Sequence, residues 1–314
     1  MPLDPALVPL LQMLADVPHM KPPFDPEAFR LADRQPMPFA RAEVAEIRDL
    51  TIGAMPARLY HPRPGETLPL LVFMHGGGWV FGTLDTHDPL CRAIASAAEI
   101  AVLALDYPLS PENRYPVALD AIASVLPEIT AQAASLGIDP NRIALGGDSA
   151  GGNLTAALCL KLRDEGGPGI AHQLLLYPVL DADFTRPSWI ENATGYMLSS
   201  EMMQWFWAQY LERAAEAPAL AAPLRAHTLA GLPSATIVTA GFDPLRDEGI
   251  AYAARLQDAG VAVVHEHFPD MIHGFASMLG MLPQADRAVG TAARGLRAAF
   301  ALDQIPYPPA TAIC

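Results

Sequence analysis

Six apolar runs of strand length recur along the chain, at residues 69–74 (PLLVFM), 100–105 (IAVLAL), 142–146 (RIALG), 172–177 (HQLLLY), 234–240 (SATIVTA) and 261–268 (VAVVHEHF). Helical stretches at 87–98, 116–136, 150–164 and 247–259 lie between most of them, and another at 284–299 follows the last. A strand that reads as a continuous apolar run is buried on both faces, which is the condition of a parallel sheet covered by helices. The alternation therefore predicts an α/β fold with a mostly parallel central sheet. The more polar pair within 41–60 is expected to add antiparallel strands at one edge. Hydrophobic residues make up 51% of the 314 residues, enough for one extensive core.

Two regions break the rhythm. At the N-terminus, 4–17 and 25–33 read as short helices, each opened by an aspartate and a proline in capping positions. Between 181 and 232 no strand signal occurs, but 200–211 (SEMMQWFWAQYL) reads as an aromatic helix. A long interval between strands usually forms a lid. The expected organisation is N-terminal cap helices in 1–40, the first part of the α/β core in 41–180, a cap insertion in 181–232 and the second part of the core in 233–314. Leu7, Leu10, Leu11 and Leu14 on one side, and Met202, Met203, Trp205, Phe206 and Trp207 on the other, need burial. The two segments are expected to pack together over the strand ends.

Gly147-Asp148-Ser149-Ala150-Gly151 matches G-x-S-x-G, between an apolar run and a helical stretch. In that context the turn is tight, its flanking residues must be small, and the serine hydroxyl stands exposed on a strained backbone. Ser149 is thus a candidate nucleophile. A phosphate-binding loop is excluded because no lysine follows the glycines. His75-Gly76-Gly77-Gly78-Trp79 directly follows the run 69–74. Three glycines there carry an entropic cost that makes sense if backbone N–H groups must approach a developing oxyanion. Two donors from this loop plus Ala150 N–H would surround that oxygen. His75 is read as bracing its loop and Trp79 as packing.

Asp243 and His273 each follow a predicted strand, in the order Ser, Asp, His that accompanies this elbow. They are the candidate acid and base, the carboxylate holding the imidazole in the tautomer that can take the serine proton. Asp247 and Glu248 are rivals read instead as helix N-terminal acids. His265 and His267 face one side of a strand, but nothing near them supplies further ligands, so no metal is expected. The remaining histidines read as surface or loop residues.

The motifs HGGGW, GDSAGG, DPLRDE and HGF, in that order, resemble those of the hormone-sensitive-lipase-like carboxylesterases, also called bacterial family IV. The segment 106–112 (DYPLSPE) looks like a loop of the same family. The resemblance runs from about residue 41 to residue 300. It implies an α/β-hydrolase fold with a helical cap, no cofactor, and hydrolysis of short- to medium-chain esters through an acyl-enzyme. By motif match it assigns Ser149, Asp243 and His273 to a triad. Gly77, Gly78 and Ala150 become oxyanion donors, with Gly76 a lesser candidate. Amide, lactone or carbamate hydrolysis stays open as an alternative, and a non-catalytic receptor is a remoter one. Pro108 stands where the family carries an arginine, so that loop's rigidity is expected to depend on the proline ring.

Thirty-four acidic and 20 basic residues give a net charge of −14, which argues against nucleic acid or an anionic membrane as partner. Residues 1–10 lack a secretory pattern and no apolar stretch is long enough to span a bilayer. Cys91, Cys159 and Cys314 are odd in number and far apart, so a disulfide framework is not expected and a cytoplasmic location is. A small-molecule ester is the expected partner. The sequence leaves open whether the chain forms a homodimer.

Overall fold

The computed structural model describes residues 1–35 and 38–302; Cys314 lies outside them. After a 3-10 turn at Pro5–Leu7, the chain forms α1 (Val8–Leu14) and α2 (Pro26–Asp33), then β1 (Glu46–Ile52), β2 (Met55–His61) and β3 (Leu68–Met74). Next come α3 (Asp88–Ala98), β4 (Ala101–Leu105), α4 (Val117–Ala131), α5 (Ala133–Leu136), β5 (Ile138–Asp148), α6 (Ala150–Glu165) and β6 (His172–Leu176). The insertion holds α7 (Pro187–Glu191) and α8 (Ser200–Tyr210), and β7 (Ser234–Phe242), α9 (Arg246–Asp258), β8 (Val263–Ile272) and α10 (Pro283–Ala299) complete the fold.

Among the described residues eight strands form one sheet, ordered β1-β2-β4-β3-β5-β6-β7-β8. The β1–β2 and β2–β4 pairs are antiparallel and the others parallel. The α/β-hydrolase architecture expected from the alternation is the one found. Every residue of β3, β4 and β6 is buried. Removing each such Leu, Val or Phe from water contributes about 1.5–3 kcal/mol, which explains why β3 and β4 carry no polar side chain.

Two predicted elements are shorter or broken. The helix expected over 4–17 starts as a 3-10 turn, with Asp4 accepting Ala6 N–H at 2.8 Å, and is helical only from Val8. The helix expected over 116–136 breaks at Gln132 into α4 and α5. The last strand, by contrast, runs beyond Phe268 to Ile272.

The register brings distant motifs together. Strand β3 is flanked by β4 on one side and β5 on the other, so the chain switches direction across the sheet at β3. Ligand crevices in α/β sheets open at such a switch, beyond the carboxyl ends of the strands. Met74 pairs with Gly147, which sets the loop after β3 beside the turn after β5. Phe242 pairs with Ile272, so Asp243 and His273, each one residue further on, emerge side by side.

Candidate active site

Ser149 occupies the turn between β5 and α6 with φ 51° and ψ −116°, a conformation rare for a residue with a Cβ. Such strain costs on the order of 1–3 kcal/mol and persists because the surroundings hold it. Ser149 N–H donates to Leu176 O at 2.8 Å, and Ser149 O accepts from Asn153 and Val179 N–H. A Cβ on Gly151 would collide with Met74 O at the end of β3, so the elbow can press against the neighbouring strand only with glycine there.

His273 Nε2 lies 2.9 Å from Ser149 Oγ, and His273 Nδ1 lies 2.8 Å from Asp243 Oδ2. All three residues are buried, Ser149 and His273 at 7% exposure and Asp243 at 1%. Asp243 Oδ1 accepts Leu245 N–H at 2.8 Å, which fixes the carboxylate's rotation. Asn192, at the end of α7, donates to Asp243 O at 3.1 Å and steadies the loop from above. The ring of Tyr177 sits 4.9 Å from that of His273. The sequence pattern thus placed three side chains that the structure joins into one hydrogen-bonded chain. Proton transfer from the hydroxyl to the imidazole, with the carboxylate stabilising the resulting imidazolium, is what such a chain can do.

The loop after β3 is turned by Val80 and Phe81 N–H, both donating to Gly77 O at 3.0 Å. Among the described residues the amides of Gly77, Gly78 and Ala150 make no hydrogen bond. Gly76 differs, because its N–H donates to Asp148 Oδ1 at 2.9 Å. Gly78, at φ 58°, has the ring of Phe206 packed directly where a Cβ would stand. His75 Nδ1 lies 2.7 Å from Gly76 O, and Tyr107 hydroxyl donates to His75 O at 2.7 Å. Burial, with the charge of His87 nearby, pushes the His75 pKa down to about 3, so it is a neutral brace. Trp79 is buried and stacks on Tyr210 at 4.1 Å.

Asp247 and Glu248 do lie in the first turn of α9, but their carboxylates face the insertion. Asp247 Oδ2 accepts Ser188 N–H at 2.8 Å. Glu248, fully buried, accepts Leu180 N–H at 2.7 Å and Trp189 Nε1–H at 3.3 Å. Local sequence sees two acids at a helix start and cannot see which chain segment lies above them. The remaining histidines are not all surface residues either. His61 and His172 are buried, and His87 is largely so. His265 and His267 converge on Thr239 Oγ1, each at 2.9 Å.

The loop at 106–112 has a support beyond the Pro108 ring. Arg30 of α2 reaches across to donate to Ser110 O at 2.9 Å and to both oxygens of Glu112, at 2.8 and 2.7 Å. Its Nε donates to Val80 O at 2.9 Å, and Asp33 accepts Gly82 N–H at 2.6 Å. Helix α2 thereby grips the loop that carries the free amides. An arginine supplied from another element had no signal in the loop itself.

Only part of the N-terminal segment meets the insertion. Phe29 stacks on Phe81 at 5.1 Å and contacts Trp205 and Phe206 of α8, while Phe24 reaches Trp205 at 5.7 Å. Leu7, Leu10 and Leu11 instead join the core cluster on the α10 side, where Asp4 N–H donates to Asp270 O at 3.0 Å.

Comparisons with known proteins place the chain among the α/β hydrolases. A family model described as alpha/beta hydrolase fold matches residues 71–277. Carboxylesterase NlhH of Mycobacterium tuberculosis is 39% identical over 309 residues, covering 88% of this chain and 96% of that protein. Ethyl acetate hydrolase of Pseudomonas putida is 37% identical over 243 residues, covering 75% of this chain and 76% of that protein. Among solved structures, a hyperthermophilic esterase of the archaeon Pyrobaculum calidifontis superposes with a TM-score of 0.88 at 35% identity, covering 95% of this chain and 99% of that chain.

Proposed function

The chain belongs to the hormone-sensitive-lipase-like family of α/β-hydrolase carboxylesterases and hydrolyses carboxylic esters, and we propose that it does so by acyl transfer to Ser149. The observation that carries this is the Ser149–His273–Asp243 hydrogen-bonded chain, at 2.9 and 2.8 Å. Neutral His273 takes the Ser149 proton as Oγ attacks the ester carbonyl. Asp243 holds the proton on Nδ1 and stabilises the imidazolium. The tetrahedral oxyanion is received by the amides of Gly77, Gly78 and Ala150, which among the described residues hold no other partner; Gly76 is already committed to Asp148. Collapse expels the alcohol, which takes the proton from His273. Water then attacks the acyl-enzyme by the same route, releasing the carboxylic acid and restoring Ser149.

In this reading the part of residues 1–40 that carries Phe24 and Phe29, together with residues 181–232, acts as a cap over the site. Support comes from Phe29, Phe81, Trp205 and Phe206, which cluster over the loop of free amides, and from the low exposure of Ser149. Apolar walls of this kind reward each buried methylene by roughly 0.8 kcal/mol until the space is filled. A preference for short- to medium-chain acyl groups follows. A cytoplasmic location is supported by Cys91 and Cys159, both buried free thiols in helices. Among the described residues no helix is long and apolar enough to cross a membrane.

The test is an acyl series of p-nitrophenyl esters, run beside the matching anilides. Turnover should rise from acetyl to about hexanoyl and then fall, with anilides far slower. Anilide cleavage equal to that of the ester would shift the reading to an amide-directed enzyme.

A further inference from the structure

One buried pair beside the elbow has no part in the steps above. Asp148, next in the chain to Ser149, is 5% exposed, and its Oδ1 lies 3.2 Å from His87 Nε2 while accepting Gly76 N–H. The other nitrogen of His87 decides its charge. Thr86 Oγ1 donates to Thr83 O at 3.0 Å and accepts Thr83 N–H at 2.9 Å. In the arrangement that places its single proton on Thr83 O, it accepts from His87 Nδ1, 2.9 Å away. Nδ1 carries a hydrogen. A neutral imidazole would then point a bare Nε2 lone pair at the carboxylate, whereas a second proton turns that contact into a charge-assisted hydrogen bond.

The surroundings favour the charged pair. Burial opposes it, but Asp148 and the nearby Asp33 of α2 outweigh burial and hold His87 above the ordinary imidazole range. Burial likewise opposes the Asp148 carboxylate, and His87 with the Gly76 amide keeps it below its usual range. The remaining neighbours do not compete. His75, with its ring 5.4 Å away, is neutral, and Asp88 is taken up by Arg92, Arg58 and Arg41.

Gly76 N–H thus has two potential acceptors, Asp148 Oδ1 at 2.9 Å and His87 Nε2 at 3.2 Å. A protonated Nε2 accepts nothing, so only the carboxylate remains. On the far side His75 holds Gly76 O. Because each peptide is planar, these two grips fix both planes flanking Gly76, and the second plane carries Gly77 N–H.

We infer that Asp148 and the protonated His87 are positioning residues, an ion pair that holds Gly76 and through it aims the oxyanion donors. This rests on the acyl-transfer reading. Loss of the His87 proton restores a second acceptor for Gly76 and sets a lone pair against the carboxylate, releasing the loop. The sign follows: His87 is raised, so its contribution is present at lower pH and lost as pH rises through its elevated value. That is opposite to the requirement for neutral His273.

The experiment measures kcat and KM for p-nitrophenyl butyrate from pH 6 to 10 in the wild type, His87→Asn and Asp148→Asn, with Ser149→Ala as the blank. The wild type should lose kcat at alkaline pH with KM unchanged. At neutral pH each variant should show kcat reduced about 10–100-fold, less than or close to the loss of a whole oxyanion donor, with KM within about twofold. His87→Asn should have no alkaline fall. A wild-type kcat that stays flat to pH 10, or an alkaline fall that persists in His87→Asn, would overturn the inference. If His87→Asn does not fold, the wild-type profile still decides against it when flat. If the wild type falls, Asp148→Asn should move that fall to lower pH, and an unmoved fall counts against the pair. Hydrolysis surviving in Ser149→Ala would overturn the acyl-transfer reading instead, a separate result.

Discussion

The floor and the roof of the site are built on different physics. The floor is set by strand register and directional bonds: Met74 beside Gly147, Phe242 beside Ile272, and a serine whose backbone N–H and O are both hydrogen-bonded. Few residue types satisfy those demands. Over the free amides, the roof is an aromatic cluster of Phe24, Phe29, Phe81, Trp205 and Phe206, whose contacts depend on volume more than direction. Interiors of that kind tolerate exchange of apolar side chains when volume is kept. In the acyl-transfer proposal the chemistry belongs to the floor, and the roof would set which acyl group fits.

The sharpest break of that comparison is at the acid. Asp243→Asn should lower kcat by about 10⁴-fold, because an amide can present its own N–H to Nδ1 and reverse the imidazole tautomer. Steady-state kinetics on a short ester, with folding checked by circular dichroism, would measure it. A loss under tenfold would mean that the floor is less constrained than its geometry implies. Phe206→Leu in the roof should have a different signature. The ring packed on Gly78 is replaced by a smaller side chain, so the favoured acyl chain should lengthen by one or two methylenes, each worth about fourfold in kcat/KM. Turnover on the best substrate should stay within about tenfold of the wild type. An unchanged chain-length profile would remove Phe206 from the pocket wall.

The smallest catalytic effect belongs to the tether between floor and insertion. Asp247→Asn should leave kcat within about twofold while lowering stability by about 1–2 kcal/mol, seen as a reduced Tm. Burial of Asp247 is outweighed by Arg246 and Ser188, which hold its carboxyl below the usual range. Its contribution is accordingly present at neutral pH and is lost as pH falls through that depressed value. The Tm difference between Asp247→Asn and the wild type should shrink in acid. A constant difference down to pH 3 would assign the effect to packing.

The same division explains what could be read from the sequence. Strand–helix alternation announced the sheet, and the elbow, the glycine loop, Asp243 and His273 each sit at a strand end that the apolar runs mark. These are local signals, because the chain passes directly from a strand into the loop that holds each residue. Arg30 reaching Glu112, Asp148 reaching Gly76 and Glu248 reaching Leu180 join segments 68 to 82 residues apart. No local pattern announces such partners, since a polar side chain at a helix start serves a cap and a tertiary contact equally well. The helix at Val8–Leu14 packs on the α10 side for a reason equally hidden from the sequence: apolar spacing shows that a face must be buried, not against what. His87 carried a signal in Thr83 and Thr86 just before it, but only the turn geometry converts those hydroxyls into evidence for its charge.

The nucleophile is the claim on which the whole account turns, and it can be tested without a substrate assay. Wild type and Ser149→Ala are treated with a fluorophosphonate and analysed by intact mass, and the labelled peptide is sequenced. A single stoichiometric adduct on Ser149, no adduct in Ser149→Ala, and an unaltered fold in the variant are expected, since alanine fits the elbow. An adduct on another residue, or labelling that persists in Ser149→Ala, would contradict that claim.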